Sequence, residues 1–106
     1  IETSLPKELE AAAQKATPQV LAHPNPFNPS TQIRFAMKNA GIAKLRIYNL
    51  NGQLIRELLN EYRVAGEHRV PWDGRDDRGR AAASGVYFIR FEAGKEVEVN
   101  KVMLVR

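Results

Sequence analysis

The 106-residue chain contains no cysteine, which excludes disulfides, thiol nucleophiles and thiolate metal sites. No apolar run approaches the roughly 20 residues that a membrane-spanning helix needs. Basic residues outnumber acidic ones by 16 to 12, a net charge of +4, but they are spread along the chain. Nucleic-acid binders more often concentrate basic residues in a stripe with aromatics between them. We therefore expect one domain with no transmembrane segment and no nucleic-acid partner.

What the sequence does contain is repeated alternation of apolar and polar residues, the pattern of half-buried β-strands. In the clearest segment Ile33, Phe35 and Met37 share one face, while Gln32 and Arg34 share the other. The segments predicted as strands are 19–22, 31–38, 43–50, 53–59, 67–72, 86–92 and 96–105. Their number and spacing are typical of an all-β fold, an immunoglobulin-like antiparallel β-sandwich of about seven strands.

Residues 1–18 differ from the rest of the chain. Within 3–15, Ser4 is a suitable helix cap, Pro6 fits a first turn, and the alanine-rich run that follows favours helix. Because the chain starts at Ile1 rather than at a methionine, we interpret 1–18 as a short helix or linker from an upstream domain. The sandwich domain is then 19–106. The apolar face of this segment is weak, but a helix that docks onto the sandwich is the alternative, since tertiary contacts readily override a weak pattern.

A polar segment, residues 73–84, joins two of the predicted strands. The strand before it places His68, Val70 and Trp72 on one face. The only tryptophan of the chain is therefore expected in the core. Asp73 and Gly74 follow it as turn residues, since aspartate accepts hydrogen bonds from nearby amides and glycine adopts positive φ.

Two finer predictions concern hairpins. Asn51–Gly52 is the strongest short hairpin signal in the chain, since both residues tolerate positive φ, and it predicts that segment 53–59 pairs with segment 43–50. In the last strand Val97 and Val99 are out of phase with Val102 and Leu104. A β-bulge near 100–101 would direct all four side chains into the core.

Few residues suit catalysis or metal binding. His23 and His68 have no serine or carboxylate at a spacing that indicates a triad, and His68 is interpreted as a half-buried strand residue near Trp72. Asp73, Asp76 and Asp77 form the only carboxylate cluster, and arginines surround them. Turn capping and ion pairing explain these aspartates better than calcium, which takes six to eight oxygen ligands, although calcium stays open. We expect no enzyme activity, no cofactor and no metal.

Aromatic residues leave a further possibility open. A flat row of exposed rings would bind sugars by stacking, but aromatic side chains are first of all core material. A carbohydrate-binding or adhesion module therefore remains an alternative. The rings considered are Phe27, Tyr48, Tyr62, Trp72 and Tyr87.

Five short motifs, each weak alone, occur in an order that resembles a known family. In chain order they are Asn25-Pro26-Phe27-Asn28-Pro29-Ser30-Thr31, Ile47-Tyr48-Asn49-Leu50-Asn51-Gly52, Trp72-Asp73-Gly74, Ser84-Gly85-Val86-Tyr87 and Lys101-Val102-Met103. Together they make residues 19–106 resemble a C-terminal sorting domain of the type IX secretion system. The Trp-Asp-Gly and Ser-Gly-Val-Tyr motifs are similar to the immunoglobulin-like domain of flagellar hook-capping proteins, a structural domain that is the alternative.

The resemblance implies a non-catalytic domain that directs an exported cargo protein to the surface of a Gram-negative bacterium, through periplasm and outer membrane. The implied partners are the outer-membrane secretion machinery, its processing peptidase and an upstream cargo domain. The recognition residues carried over by motif are Pro26, Phe27, Gly85, Tyr87 and Lys101.

The last strand is expected at a sheet edge, where another strand could add to its unpaired backbone. Lys95, Lys101 and Arg106 would then contact acidic groups. Charged residues also protect exposed sheet edges against aggregation, and this role explains the same residues equally well.

Overall fold

The computed structural model describes residues 20–106, whose regular secondary structure consists of β-strands, with no helix among them. The strands are β1 (Val20–His23), β2 (Thr31–Met37), β3 (Gly41–Tyr48), β4 (Leu54–Arg63), β5 (Gly66–Trp72), β6 (Gly85–Ala93) and β7 (Glu96–Leu104). The predicted helix or linker in 1–18 lies outside the described residues. No helix in the described part of the chain is long and apolar enough to cross a membrane.

The seven strands form two antiparallel sheets. One has the order β1-β2-β5 and the other the order β4-β3-β6-β7. The connections β2–β3, β4–β5 and β5–β6 each cross from one sheet to the other, so the two layers are tied together three times. This confirms the all-β, immunoglobulin-like antiparallel sandwich of seven strands.

The core lies between the sheets and follows from the alternation of the sequence. In β2 every second residue is buried, as predicted for Ile33, Phe35 and Met37. The facing sheet contributes Leu45, Ile47, Ile89 and Phe91, all fully buried. The rings of Phe35 and Phe91 join the two layers, with centroids 4.9 Å apart. Apolar burial on this scale is the main stabilising term for a domain of this size.

The hairpin predicted at Asn51–Gly52 is confirmed, since β3 and β4 pair antiparallel on either side of it. Of these two residues only Gly52 has positive φ, at 80°, and among residues 20–106 no residue other than glycine has positive φ. The Gly52 amide donates to the Asn49 carbonyl, and the Asn49 amide donates to the Gln53 carbonyl. These bonds define a three-residue loop with glycine in the left-handed conformation. Asn49 Oδ1 also accepts from the amides of Asn51 and Gln53, which stabilises the longer loop.

β4 extends to Arg63, whereas the strand predicted there ends at residue 59. Its last residues stay in register with β3, since Glu61 pairs with Ala43 and Arg63 with Gly41. Exposed and buried residues do not alternate regularly there, because β4 lies at the edge of its sheet. Charged residues are common at such edges.

The prediction of a bulge near 100–101 was wrong. β6 and β7 pair without a register shift from Gly85–Leu104 to Ala93–Glu96. Val102 and Leu104 therefore join the core, whereas Val97 and Val99 lie on the opposite face. The inward position between them is taken by Asn100, whose Nδ2 donates to the Val20 carbonyl at 2.9 Å. That bond satisfies the Asn100 amide, so Asn100 can occupy the inward position in a strand without a bulge.

Candidate recognition surface

Four of the five sequence motifs meet at one corner of the sandwich. The ring centroids of Phe27 and Trp72 are 5.2 Å apart, and those of Trp72 and Tyr87 are 5.5 Å apart with an edge-on geometry. All three rings are buried. Offset and edge-on ring pairs of this kind stabilise a fold beyond their buried area. The motifs are thus one packed unit, although they lie up to 60 positions apart in the chain, between Phe27 and Tyr87.

The polar atoms of these rings are also satisfied. Trp72 Nε1 donates to the Arg75 carbonyl at 3.0 Å, and the Tyr87 hydroxyl donates to the Ala83 carbonyl at 2.6 Å. Both acceptors belong to the 73–84 crossover. The two rings therefore fix the crossover as well as the core, and burial raises the pKa of Tyr87 above its ordinary value.

The segment before β2 covers part of the β7 edge. The Phe27 amide donates to the Met103 carbonyl, and the Val105 amide donates to the Phe27 carbonyl, both at 2.9 Å. The Asn25 side chain continues this pairing through the backbone of Lys101 and Met103. The C-terminal half of the last strand is therefore not open to a partner strand, contrary to the expectation that its whole edge is.

Gly74 and Arg106 close the corner from the other side. Arg106 donates from Nη2 to the Gly74 carbonyl and from Nε to the Ala82 carbonyl, each at 2.6 Å. Gly74 has φ of 74°, and a Cβ there would lie 2.8 Å from Arg106 Nη2 and 2.9 Å from the Pro29 carbonyl oxygen. The position accepts only glycine, for both conformation and space.

The aspartates of the crossover bind backbone amides. Asp73 Oδ1 accepts from the Arg75 amide and from Arg56 Nη1, each at 3.1 Å. Asp77 Oδ1 accepts from the amide of Glu57 in β4. These contacts are the turn-capping and ion-pairing roles that the sequence favoured.

Asp76 is the most constrained of the three. Its Oδ1 accepts from the amides of Arg80 and Arg78, each at 2.9 Å. The bond from the Arg80 amide is the largest cause that lowers the pKa of Asp76 below its ordinary value. Among residues 20–106, no group of three or more His, Asp or Glu side chains is placed to hold a metal ion.

The two histidines lie apart. His23 is exposed at the end of β1, and His68 stacks on Phe35 with centroids 5.4 Å apart and bonds through Nε2 to the Val64 carbonyl oxygen at 2.8 Å. His68 is half-buried as expected, but its neighbour is Phe35 rather than Trp72. The two histidines therefore belong to different strands and do not form a common site.

The five aromatic residues considered for sugar stacking do not form a common surface. Tyr62 is 59% exposed, while the other four are buried. Stacking on a sugar requires accessible ring faces, so this set offers one ring rather than a row.

Residues 27–96 match the FlgD Ig-like domain family. The chain belongs to the FlgD Ig-like domain family. A comparison with curated proteins finds no match. Among solved structures, FlgD of Xanthomonas campestris, described in connection with the hook capping that is essential for flagellar assembly, is 26% identical with a TM-score of 0.59. That match covers 81% of this chain and 62% of FlgD.

Two proteins of Porphyromonas gingivalis are also similar to this FlgD-type domain. PorZ of Porphyromonas gingivalis, described as an essential surface component of the type IX secretion system, is 27% identical with a TM-score of 0.57. The match covers 82% of this chain but 11% of PorZ. Latent PorU of the same organism is 21% identical with a TM-score of 0.64, over 81% of this chain and 9% of PorU, and shares the fold. This chain thus corresponds to a small part of either protein.

The structure separates the recognition residues predicted for this FlgD-type domain into two groups. Phe27 and Tyr87 are buried at the corner, and Gly85 starts β6 opposite Leu104. Pro26 is exposed on the covering segment, and Lys101 is half-buried on β7. The buried residues can act only by stabilising the domain, whereas the exposed ones can contact a partner directly.

Exposed apolar residues of β7 and its extension are the surface feature that motif reasoning missed. Val97 is 36% exposed, Met103 42% and Val105 44%. Together with Pro26 they line the outer side of the last strand, and we call these four residues the β7 row. The signal was present in the sequence as the odd phase of Val97, which was attributed to a bulge instead. Exposed apolar groups that recur on one element are typical of interaction sites.

The β7 edge also has an uncovered part. The Lys101 carbonyl, both backbone groups of Met103 and the Val105 amide bond to Asn25 and Phe27, and the Lys101 amide donates to Asn100 Oδ1. By the alternation of antiparallel pairing, the matching groups of Val97 and Val99 face the same edge. No described residue bonds to them, so a partner strand could pair with this short section only.

Proposed function

We propose that this FlgD-type domain is a non-catalytic sorting and cell-surface-attachment domain that directs an exported cargo protein through the type IX secretion system. The observation that carries the proposal is the 27% identity to PorZ over 82% of the chain. The order of the five motifs supports it. The proposed location is the cell surface or exterior of a Gram-negative bacterium, reached through periplasm and outer membrane.

The proposed partners are the outer-membrane secretion machinery and its processing peptidase, with a cargo domain upstream. A sorting domain has to present a constant surface whatever cargo precedes it. The packed corner of Phe27, Trp72 and Tyr87 provides that constancy, because it fixes both ends of the crossover and the end of β7. The machinery would then read the β7 row together with the open edge at Val97 and Val99.

The proposal assigns no reaction to the domain. Its histidines are separate, and its aspartates already accept hydrogen bonds from backbone amides. General acid–base chemistry needs a titratable group within hydrogen-bond reach of a substrate. The polar groups of the corner instead form hydrogen bonds with one another, which supports recognition rather than catalysis.

A reporter fusion tests the proposal. Residues 1–106 are fused to the C-terminus of an exported reporter and expressed in a type IX-competent host and in an isogenic host without the translocon. We expect the reporter outside the cell or on its surface in the first host and in the periplasm of the second. Equal distribution between the two hosts would contradict the proposal.

The second candidate is a structural domain of a flagellar hook cap, which the family match and the 26% identity to FlgD favour. In that case the reporter stays in the periplasm of both hosts. The parent protein would also co-purify with flagellar hook subunits, whereas a sorting domain would not require them.

A further inference from the structure

The outward face of the three-stranded sheet carries two arginines directly opposite each other. Arg34 of β2 and Arg69 of β5 are register partners, and both side chains are exposed. Side chains opposed in this way lie about 5 Å apart at Cβ, and like charges in such a pair are destabilising. The register therefore places two positively charged side chains next to each other on this face.

The neighbourhood compensates this charge only in part. Glu67 is the one carboxylate that pairs there, with an oxygen 3.6 Å from Arg34 Nε. Arg69 has no ion-pair or hydrogen-bond partner among the described residues. His23, the other titratable group on this face, lies beside Gln32 in the register. Two arginines therefore face one carboxylate, and one guanidinium has all of its donors free.

The same residues surround a groove. Its volume is about 530 Å³, and it runs along the outer side of β1 and across to β5. Leu21, which is 43% exposed, gives it an apolar wall, and Gln32 adds a neutral amide. The complete lining is Leu21, Ala22, His23, Gln32, Arg34 and Arg69.

We propose that this groove binds a phosphate group between Arg34 and Arg69. A phosphate ester carries up to two negative charges near neutral pH and three acceptor oxygens, which matches two adjacent guanidinium forks. A single carboxylate offers half that charge and would leave one guanidinium unpaired. Gln32 donates to the ester oxygens, and the apolar wall packs against the group that carries the phosphate. The site lies on the sheet opposite the β7 row, so it is independent of the proposed sorting function.

The binding test uses two probes, because a phosphate could come from a soluble sugar phosphate or from a lipid headgroup. Glucose 6-phosphate is titrated into the 15N-labelled chain at constant ionic strength, held with sodium chloride. Vesicles of phosphatidylcholine that contain phosphatidic acid, whose headgroup is a phosphate monoester, are tested by co-sedimentation, with pure phosphatidylcholine vesicles as the comparison without that group. Saturable shifts of the amides of residues 21–23, 32–34 and 69 are expected with the sugar phosphate. Co-sedimentation with the anionic vesicles alone would identify a lipid source for the same chemistry.

Two variants of equal charge decide whether the site is responsible. Arg69→Gln removes the unpaired guanidinium and is expected to weaken binding at least tenfold, the effect of losing one charge-assisted hydrogen-bonded contact. Arg78→Gln lowers the net charge equally at an exposed position of the crossover and is expected to bind as the natural sequence does. Equal weakening by both variants would overturn the proposal. So would the absence of binding to both probes.

Discussion

The side chain of Asn25 bonds to β7 as the backbone of a neighbouring strand would. Its Nδ2 donates to the Lys101 carbonyl at 3.1 Å, and its Oδ1 accepts from the Met103 amide at 3.0 Å. With the backbone of Phe27, it covers the edge of the last strand from 101 to 105. The asparagine of the first motif is therefore part of the sheet.

The first prediction concerns that contact. Asn25→Ala removes both hydrogen bonds, so we expect a loss of about 1–2 kcal/mol in the free energy of unfolding. Amide exchange at Met103 should accelerate because its acceptor is gone. Asn25→Asp is the matched control, since it retains the acceptor for Met103 and loses only the donor to Lys101. Unchanged exchange at Met103 in Asn25→Ala would contradict the edge-covering role.

Gly74 and Gly79 provide a matched pair for the corner. Both have positive φ, 74° and 82°, but a Cβ meets Arg106 and the Pro29 carbonyl at Gly74 and nothing within 4 Å at Gly79. We expect Gly79→Ala to cost about 1 kcal/mol for the backbone conformation, and Gly74→Ala about 3 kcal/mol because the neighbouring backbone must also shift. Urea unfolding measures both. Equal losses would mean that the close approach has no energetic effect.

Tyr87→Phe tests the hydroxyl bond to the Ala83 carbonyl. We expect a loss of about 1 kcal/mol at neutral pH. Burial raises the pKa of Tyr87 above 10.0, so the folded state holds the phenolic proton more tightly than the unfolded state does. That contribution is complete below pH 10 and is lost as the pH rises through the folded pKa. The variant should therefore lose less stability than the natural sequence between pH 9 and pH 12, which thermal unfolding in that range measures. Parallel curves would contradict this.

Acid stability depends in part on Asp76. Its pKa is lowered below 3.8, first by the Arg80 amide, so its charged form favours the folded state. That stabilisation is present above the unfolded pKa and is lost as the pH falls through the folded pKa. Asp76→Asn keeps an oxygen for the Arg78 and Arg80 amides but has no charge to lose. We expect its melting temperature to fall less steeply than that of the natural sequence below about pH 4. An equally steep fall would exclude a role for the Asp76 charge.

Periodicity was sufficient to predict the fold but not the corner. The alternation of Ile33 and Phe35 fixes which face of β2 is buried, since the period of a strand is two. Periodicity contains no information on side chains that take the place of backbone groups at a sheet edge, as that of Asn25 does. Asn25 lies in a proline-rich segment without period, and its partners Lys101 and Met103 are 76 and 78 positions away. Such pairs follow from the tertiary fold and have no local signal.

The same limit explains the last strand and the chain end. Val97 looked like a core residue displaced by a bulge because valine is usually buried. The bond from Asn100 to the Val20 carbonyl lets a polar residue occupy the inward position, and that bond spans the two sheets. Arg106 was predicted as a charge for a partner, yet its guanidinium bonds to Gly74 and Ala82. The local sequence around Arg106 is apolar and gives no indication of this contact.

Secretion machinery is proposed to read the outer side of β7, and two exposed apolar residues distinguish this surface from the rest of the domain. Met103 is 42% exposed in the β7 row, and Val64 is 60% exposed in the β4–β5 connection. Both Met103→Glu and Val64→Glu introduce a charge at an accessible position, so neither is expected to unfold the domain. The measurement is the fraction of a fused reporter found outside a type IX-competent cell. The account predicts that Met103→Glu lowers this fraction at least severalfold while Val64→Glu leaves it unchanged; equal export of both fusions would contradict it.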